Sequence, residues 1–313
     1  MRAFVFPGQG SQTVGMGKDL AEAFPVARET FQEVDDALNQ KLSKLMFEGP
    51  DTDLNLTENT QPALMSVSLA VVRILKQAKP DLISATRCKF VAGHSLGEYS
   101  ALTAAGSFTL SDAAKLLKTR GQAMQKAVPV GIGAMAAILG LELPDVTAIV
   151  KEASNSEIVS AANDNSFGQV VVSGHKAAVE KAMALATAKG AKRALLLPVS
   201  APFHCALMKP AADVMQTALA ATNIAAPAVP LIANVIAEQV TDPARIRQLL
   251  VEQVTGMVRW RESVLYMKTQ GVTELIELGA GKVLNGLTKR IDGELTGRAV
   301  NTPKDIEEFA ATL

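Results

Sequence analysis

The tightest constraint on this chain is a serine held between two glycines, where an apolar strand must give way to a helix. "KFVAG" (89–93) reads as a buried strand and "EYSALTAAG" (98–106) as the helix after it; Gly93-His94-Ser95-Leu96-Gly97 joins them with G-x-S-x-G spacing. A strand-to-helix turn this sharp leaves little room for Cβ atoms at the flanking positions, which is the steric reason for glycine there. Ser95 then sits at a helix N-terminus, where free N–H groups and the positive end of the dipole favour developing negative charge. The Leu96 backbone N–H becomes an oxyanion donor. By itself the spacing leaves open a hydrolase, an acyl transferase and a plain N-capping serine.

Such a turn needs an α/β scaffold, and short apolar runs alternating with helical patterns supply one. "AFVF" (3–6) reads as a strand ended by Pro7-Gly8, and "MSVSLAVVRILKQ" (65–77) has apolar residues at helical spacing. "SDAAKLLKTRGQAMQKA" (111–127) reads as a helix with Ser111 as its N-cap. Between Pro129 and Pro198 the order changes to strand, helix, strand, strand, helix, strand, the split βαβ plan. A helix from about 205, a strand in "PLIANV", helices around 243–253 and 260–270, a strand in "TELIELG" and a final helix from Lys282 complete the chain. The fold class expected is therefore α/β: a large hydrolase-like subdomain with a mostly parallel sheet (1–128 and 198–313), interrupted by a small ferredoxin-like subdomain (129–197).

The serine needs a base, and the chain has three histidines. His94 adjoins Ser95, so from a tight elbow its ring is expected to point elsewhere. His175 begins the second helix of the inserted segment and reads as a surface or capping residue. His204 lies in "PVSAPFHCALM", a Pro-punctuated loop leading into a helix, and loops on a rigid scaffold are where catalytic bases sit. By elimination His204 is the candidate base, with an imidazole suited to taking the Ser95 proton. No carboxylate stands out as a third member; a backbone carbonyl or an amide can also orient a base. The turn "FPGQGSQ" (6–12) would let backbone approach a ligand, and Gln9 could help hold an oxyanion, but it fits neither phosphate-loop pattern.

Composition removes other classes. Thirty-one basic residues balance 31 acidic ones, so no global charge points to nucleic acid or an anionic membrane. Two cysteines, Cys88 and Cys205, make no disulfide framework and show no zinc spacing, so a reduced cytoplasmic setting and no metal are expected. No apolar run reaches the roughly 18 residues of a membrane span, and the first run is too short for a signal peptide.

Eight stretches together resemble one family, the malonyl-CoA:acyl-carrier-protein transacylases of fatty-acid synthesis and the related acyltransferase domains of polyketide synthases. They are "FVFPGQGSQ" near the start, "GHSLGEYSAL" from Gly93, "RGQAMQ" from Arg120 and "GAMAAILG" from Gly133, followed by "NSFGQVVVSG" from Asn165, "APFHCALMKPAA" from Ala201, "VEQVTGMVRW" from Val251 and "ELGAGKVLNGLTKR" from Glu277. The match runs in order over essentially the whole chain. It implies Ser95 as nucleophile, His204 as base, Gln9 and Leu96 as oxyanion partners, and Gln253 orienting His204 through its backbone carbonyl. It further implies Arg120 as the residue binding the malonyl carboxylate, whereas the helical pattern alone would leave Arg120 on the surface. His94, Met124, Asn165 and Phe203 would line the substrate pocket.

The implied reaction is a ping-pong transfer from malonyl-CoA, a substrate and not a cofactor, to the phosphopantetheine thiol of acyl carrier protein. No cofactor, nucleic acid or membrane partner is implied, and a monomer is expected. Phe167 and Ala280 stand where the family commonly has proline; Phe203 resembles the residue of malonyl-selective acyltransferases. The alternatives are a stand-alone polyketide or malonate-decarboxylase acyltransferase, a non-catalytic scaffold, and a thioesterase or esterase. The last predicts a late histidine, and none follows His204.

Overall fold

Ala3 to Phe6 are apolar on both alternating faces, which suits a strand covered on both sides. In the computed structural model of the chain, β1 (Arg2–Phe6) is buried at the middle of a six-stranded sheet. Every residue is described except Ser156 and Ser200; the latter, in the loop expected to lead to His204, lies outside the described residues. The strands are β2 (Phe90–Gly93), β3 (Gly133–Leu139), β4 (Val159–Ser166), β5 (Gln169–His175), β6 (Arg193–Leu196), β7 (Leu231–Ile232), β8 (Gln239–Val240), β9 (Glu274–Leu278) and β10 (Thr296–Val300). The large sheet has the order β10-β9-β1-β2-β7-β8, parallel except for β8 at its edge.

The period of two along β1 divides the core. Phe4 and Phe6 enter one apolar cluster with the helices Thr57–Ala78 and Leu110–Ala127; Ala3 and Val5 enter another with Phe90, Ala92 and Trp260. β1 and β2 both end at the same sheet edge, and open parallel sheets bind ligands outside the carboxyl ends of their strands. A second, antiparallel sheet has the order β4-β5-β3-β6 and carries the helices Leu143–Ala153 and Lys176–Ala188 over its own apolar cluster. That is the split βαβ order expected from the sequence.

The two sheets are tied together near Asp164. Its backbone N–H donates to Val258 O (2.9 Å), while the Val258 N–H donates to Ala162 O (2.8 Å). Arg261 Nε also donates to the buried Asp164 carboxylate at 2.9 Å.

Several boundaries differ from the sequence expectation, each for a local reason. The helix expected from Ser111 starts at Leu110, because Thr109 is the cap that accepts the Asp112 N–H. The helix expected over 65–77 begins at Thr57; buried Asn59, Thr60 and Gln61 hide its first turn from an apolar pattern. The helix expected from about 205 is a 3₁₀ turn, Ala206–Met208, followed by the helix Lys209–Ala220. "PLIANV" holds only the two residues of β7 before Ala233 N–H pairs with Glu238 O and the chain doubles back as β8. The helix Val283–Ile291 is not the last element: β10 and the helix Pro303–Ala310 follow, the latter closed by a Thr302–Asp305 capping box. His175 holds the N-cap position of its helix but makes no side-chain cap bond, its Nδ1 instead accepting the Ile158 N–H. Among the described residues, no helix is long and apolar enough to cross a membrane.

A Cβ at Gly93 would lie 1.9 Å from Gly97 O, and one at Gly97 would lie 2.3 Å from Phe6 O. Gly97→Ala is therefore expected to destabilise the fold by about 3 kcal/mol or more, since backbone must move on both sides. Gly286 has open space around its Cβ position and lies within a helix, so Gly286→Ala is expected to stabilise by about 0.5–1 kcal/mol. Urea unfolding of both variants checks the pair; a neutral Gly97→Ala would mean the elbow is loose.

Candidate active site

β2 ends at Gly93 and the helix Gly97–Ala104 begins after Leu96, leaving Ser95 at the bend with φ 53°. A left-handed serine costs of order 1–3 kcal/mol and persists only where its surroundings over-determine it. Asn234, just beyond β7, does so: its Oδ1 accepts the Ser95 N–H at 2.8 Å and its Nδ2 donates to Gly93 O at 2.7 Å. Both sides of the turn are thus clipped by one side chain, a residue that sequence reading placed only in a strand.

The Ser95 hydroxyl is 2.8 Å from His204 Nε2. On the far side of the ring, His204 Nδ1 lies 2.9 Å from Gln253 O and 3.1 Å from Gly256 O. Carbonyls only accept, so Nδ1 carries the proton and Nε2 is left as the acceptor for the Ser95 O–H. Burial first, and the nearby Arg120 charge second, push the His204 pKa down to about 3, which keeps the imidazole neutral. Gln253 O is the group that the family resemblance implied, and Gly256 O is a second acceptor that neither the resemblance nor the sequence named.

Arg120, a surface residue on the helical pattern alone, is 1% exposed. Its Nη1 donates to Gln61 Oε1 at 2.7 Å, and Nη2 to Gln253 Oε1 at 2.8 Å and Ser95 Oγ at 3.1 Å. The guanidinium also lies over the Tyr99 ring, 5.8 Å from its centroid. The helix reaches this depth because Gly121 touches its neighbour: a Cβ there would lie 2.4 Å from Glu58 Cα.

These groups open onto a cavity of about 540 Å³ that gathers every expected pocket residue, His94, Met124, Asn165 and Phe203, together with Gln9 and Leu96. His94 lines this cavity, the place the family resemblance implied, although the tight elbow alone suggested that its ring would point elsewhere. Its Nε2 is 2.9 Å from Asn165 Oδ1, with Trp260 packed 5.9 Å from the ring, and burial lowers its pKa. The turn after β1 comes up against the elbow, for a Cβ at Gly8 would lie 2.7 Å from His94 O. The Gln9 side chain is tied away by Thr57 Oγ1, which donates to its Oε1 at 3.0 Å. The backbone N–H groups of Gln9 and Leu96 have no acceptor among the described residues, and both residues line the cavity.

A buried carboxylate is present after all. Glu98, three residues beyond Ser95, accepts from the Asn234 N–H (3.1 Å) and Gln253 Nε2 (2.9 Å), and its burial raises its pKa to about 7. It does not touch His204, whose ring nitrogens meet only Ser95 and two carbonyls among the described residues. No group of three or more His, Cys, Asp or Glu that could hold a metal gathers among those residues. A hydroxyl with a neutral acceptor behind it, two free N–H donors and a buried cation can together support acyl transfer through the serine.

Similarity to known proteins extends over the whole chain. The malonyl CoA-acyl carrier protein transacylase of Escherichia coli (strain K12) is 51% identical over 301 residues, covering 96% of each chain. The crystal structure of an acyl-carrier-protein-S-malonyltransferase from Bartonella henselae superposes with a TM-score of 0.97 at 54% identity, over 99% of this chain and 98% of that one. A malonyl-transacylase solved in complex with a holo type II PKS acyl-carrier protein gives 0.96 at 45% identity, over 100% and 99% of the two chains. The family described as "Acyl transferase domain" matches residues 3–286, and with likeness of this extent the chain belongs to that family.

Proposed function

We propose that this protein transfers the malonyl group from malonyl-CoA to the phosphopantetheine thiol of acyl carrier protein, through an ester on Ser95, and so feeds fatty-acid synthesis. The observation that carries the reading is the Arg120 guanidinium, buried in the cavity wall with Nη2 3.1 Å from Ser95 Oγ. A fixed positive charge beside a nucleophile suits an acyl group that brings its own carboxylate. The relatives and the carrier-bound neighbour support the same donor and acceptor.

In the first half-reaction His204 Nε2 takes the Ser95 proton as Oγ bonds to the thioester carbon. The tetrahedral oxyanion is held by the N–H groups of Leu96 and Gln9. As the C–S bond breaks, the His204 proton goes to the departing thiol of coenzyme A. In the second half-reaction the carrier thiol gives its proton to His204 and bonds to the malonyl carbon; Ser95 Oγ leaves and recovers the proton. Arg120 holds the malonyl carboxylate in both halves, and Gln253 O and Gly256 O keep His204 in the productive tautomer. Met124, Asn165, Phe203 and His94 line the acyl pocket. Each proton and bond is handled by the chain, the malonyl thioester and the carrier thiol, with no cofactor taking a step. The two segments 1–128 and 198–313 form the catalytic subdomain in this reading and 129–197 the smaller one, and the free buried thiols Cys88 and Cys205 support a cytoplasmic setting.

Intact mass after mixing with malonyl-CoA is expected to show a malonyl adduct that acyl carrier protein discharges. Ser95→Ala is expected to show none, and an adduct on that variant would remove Ser95 as nucleophile. Arg120→Ala is expected to lose malonyl transfer about ten- to a hundredfold more than acetyl transfer, the worth of a charge-assisted pair. Equal losses in competition assays would reject the carboxylate role. The depressed pKa of His204 fixes a sign for pH dependence. The ring keeps its base form as pH falls through the ordinary imidazole value of about 6.5, so the acylation rate is expected to show no acid limb there. In the same window the unfolded chain protonates His204 and the native site does not, so the His204 share of stability, read as the difference from His204→Ala, falls as pH drops from about 6.5, while buried Glu98, raised to about 7, contributes with the opposite sign. Stopped-flow acylation and unfolding midpoints between pH 5 and 8 check both signs.

A further inference from the structure

The acyl-transfer scheme leaves Glu98 without a task, yet this carboxylate is 1% exposed and sits in the first turn of the helix that follows Ser95. Its Oε2 receives two donors, the Asn234 backbone N–H at 3.1 Å and Gln253 Nε2 at 2.9 Å. Gln253 Nε2 is shared with a second acceptor, Ser95 O, also at 2.9 Å. The other end of the same amide, Oε1, receives Arg120 Nη2 at 2.8 Å. The orientation of this amide follows from its neighbours. A carbonyl can only accept, and Glu98 Oε2, which already receives the Asn234 backbone N–H, accepts even when a proton sits on Oε1, so both demand the NH₂ end, while a guanidinium can only donate and demands the oxygen. Reversing the amide would set two donors face to face at Arg120 and acceptors against acceptors at Glu98 and Ser95.

We propose that Glu98 is a positioning residue for acyl-group selection: by accepting from Gln253 Nε2 it locks the amide so that Oε1 aims the Arg120 guanidinium at the acyl site beside Ser95. The inference rests on the reading of Arg120 as the carboxylate-binding group and adds the buried residue that orients it. Glu98 touches neither the reacting atoms nor His204. It acts through Gln253, and its second donor, Asn234, is the residue that clips the elbow on both sides, so Glu98 also holds Asn234 in register. The charged and titratable groups facing it are Arg120 and Tyr99, with the neutral Gln253 and Asn234 in direct contact.

The geometry separates three substitutions. Glu98→Gln keeps an acceptor oxygen for both N–H groups and removes only the charge. Glu98→Asp keeps the charge but is one methylene short of Gln253. Glu98→Ala removes acceptor and charge together. Malonyl and acetyl transfer to acyl carrier protein, each read as kcat/KM, are expected to keep their wild-type ratio within about threefold in Glu98→Gln. In Glu98→Asp and Glu98→Ala the malonyl-to-acetyl ratio is expected to fall at least about tenfold, because the misaimed guanidinium no longer meets a carboxylate. A merely structural role would lower both transfers together and leave the ratio unmoved, which overturns the proposal. Loss of the ratio in Glu98→Gln equal to that in Glu98→Asp overturns it as well, because charge and not the hydrogen bond would then be the agent. Should Glu98→Ala fail to fold, the Gln and Asp variants decide between the outcomes on their own. The Arg120→Ala ratio, measured alongside, keeps the two readings apart. If that variant retains malonyl preference the Arg120 assignment itself fails; if it loses preference while Glu98→Asp does not, only the Glu98 proposal falls.

Discussion

A guanidinium taken out of water beside a serine is tolerable only if its N–H groups find acceptors and its charge finds compensation; removing one partner of a buried charge typically costs about 3–5 kcal/mol. Arg120 meets the first demand at Nη1 and Nη2, through Gln61, Gln253 and Ser95, while its buried Nε has no partner among the described residues; the Tyr99 ring beneath it meets part of the second. Gln253 is the residue on which these demands converge. Its backbone carbonyl fixes His204, its amide oxygen fixes Arg120, and its amide nitrogen reaches both Ser95 O and Glu98. His204, Arg120 and Ser95 are therefore all referred to one residue near the end of the helix Pro243–Thr255. A shift of that helix would move all three together, so their mutual geometry is less sensitive to its motion than independent supports would allow.

Ser95 and His204 both have positive φ, 53° and 58°, although neither is glycine. Two such residues facing each other across 2.8 Å put the strain where the chemistry is proposed to occur. The rigid parts absorb it. β2 enters the bend from the middle of a parallel sheet, Gly93 and Gly97 pass at distances no Cβ would permit, and Asn234 ties the bend to β7. The cavity then forms where the carboxyl ends of β1 and β2 meet the second sheet, and the Asp164–Val258 and Asp164–Arg261 contacts hold that sheet in place. Gly8 packs against His94 O and so brings the first turn against the elbow, where Gln9 and Leu96 line the same cavity.

What was legible in the sequence is what local sterics and short-range pattern dictate. The elbow follows from two glycines around a serine, the antiparallel sheet from an uninterrupted strand-helix order, and His204 from elimination among three histidines. Arg120 was not legible from its own helix, since an arginine among lysines on an amphipathic pattern reads as solvated; only Gly121, which lets the helix approach Glu58, carries a trace of its burial. Asn234 and Glu98 act over sequence separations of 139 and 155 residues, toward Ser95 and Gln253 respectively, and no periodicity encodes such pairs. The first turn of the helix Thr57–Ala78 was missed for a related reason. Thr57 and Gln61 are buried there to serve Gln9 and Arg120, so function replaces the apolar residues that would have marked the helix.

In the free site one Nη2 is divided between Ser95 Oγ and Gln253 Oε1. A donor beside a hydroxyl favours the form in which that oxygen carries negative charge, so under the proposed mechanism Arg120 assists deprotonation of Ser95 before any acyl group arrives. Once the ester has formed, Oγ is a weaker acceptor and a malonyl carboxylate offers two stronger ones. The same N–H then turns from the nucleophile to the substrate without a change of rotamer elsewhere, because Gln253 Oε1 holds its second contact throughout. An acetyl group supplies no carboxylate to take up the freed donor, and the buried cation is left one partner short in the acyl-enzyme. Discrimination on this account comes less from a better fit for malonyl than from the penalty an acyl group without a carboxylate leaves behind.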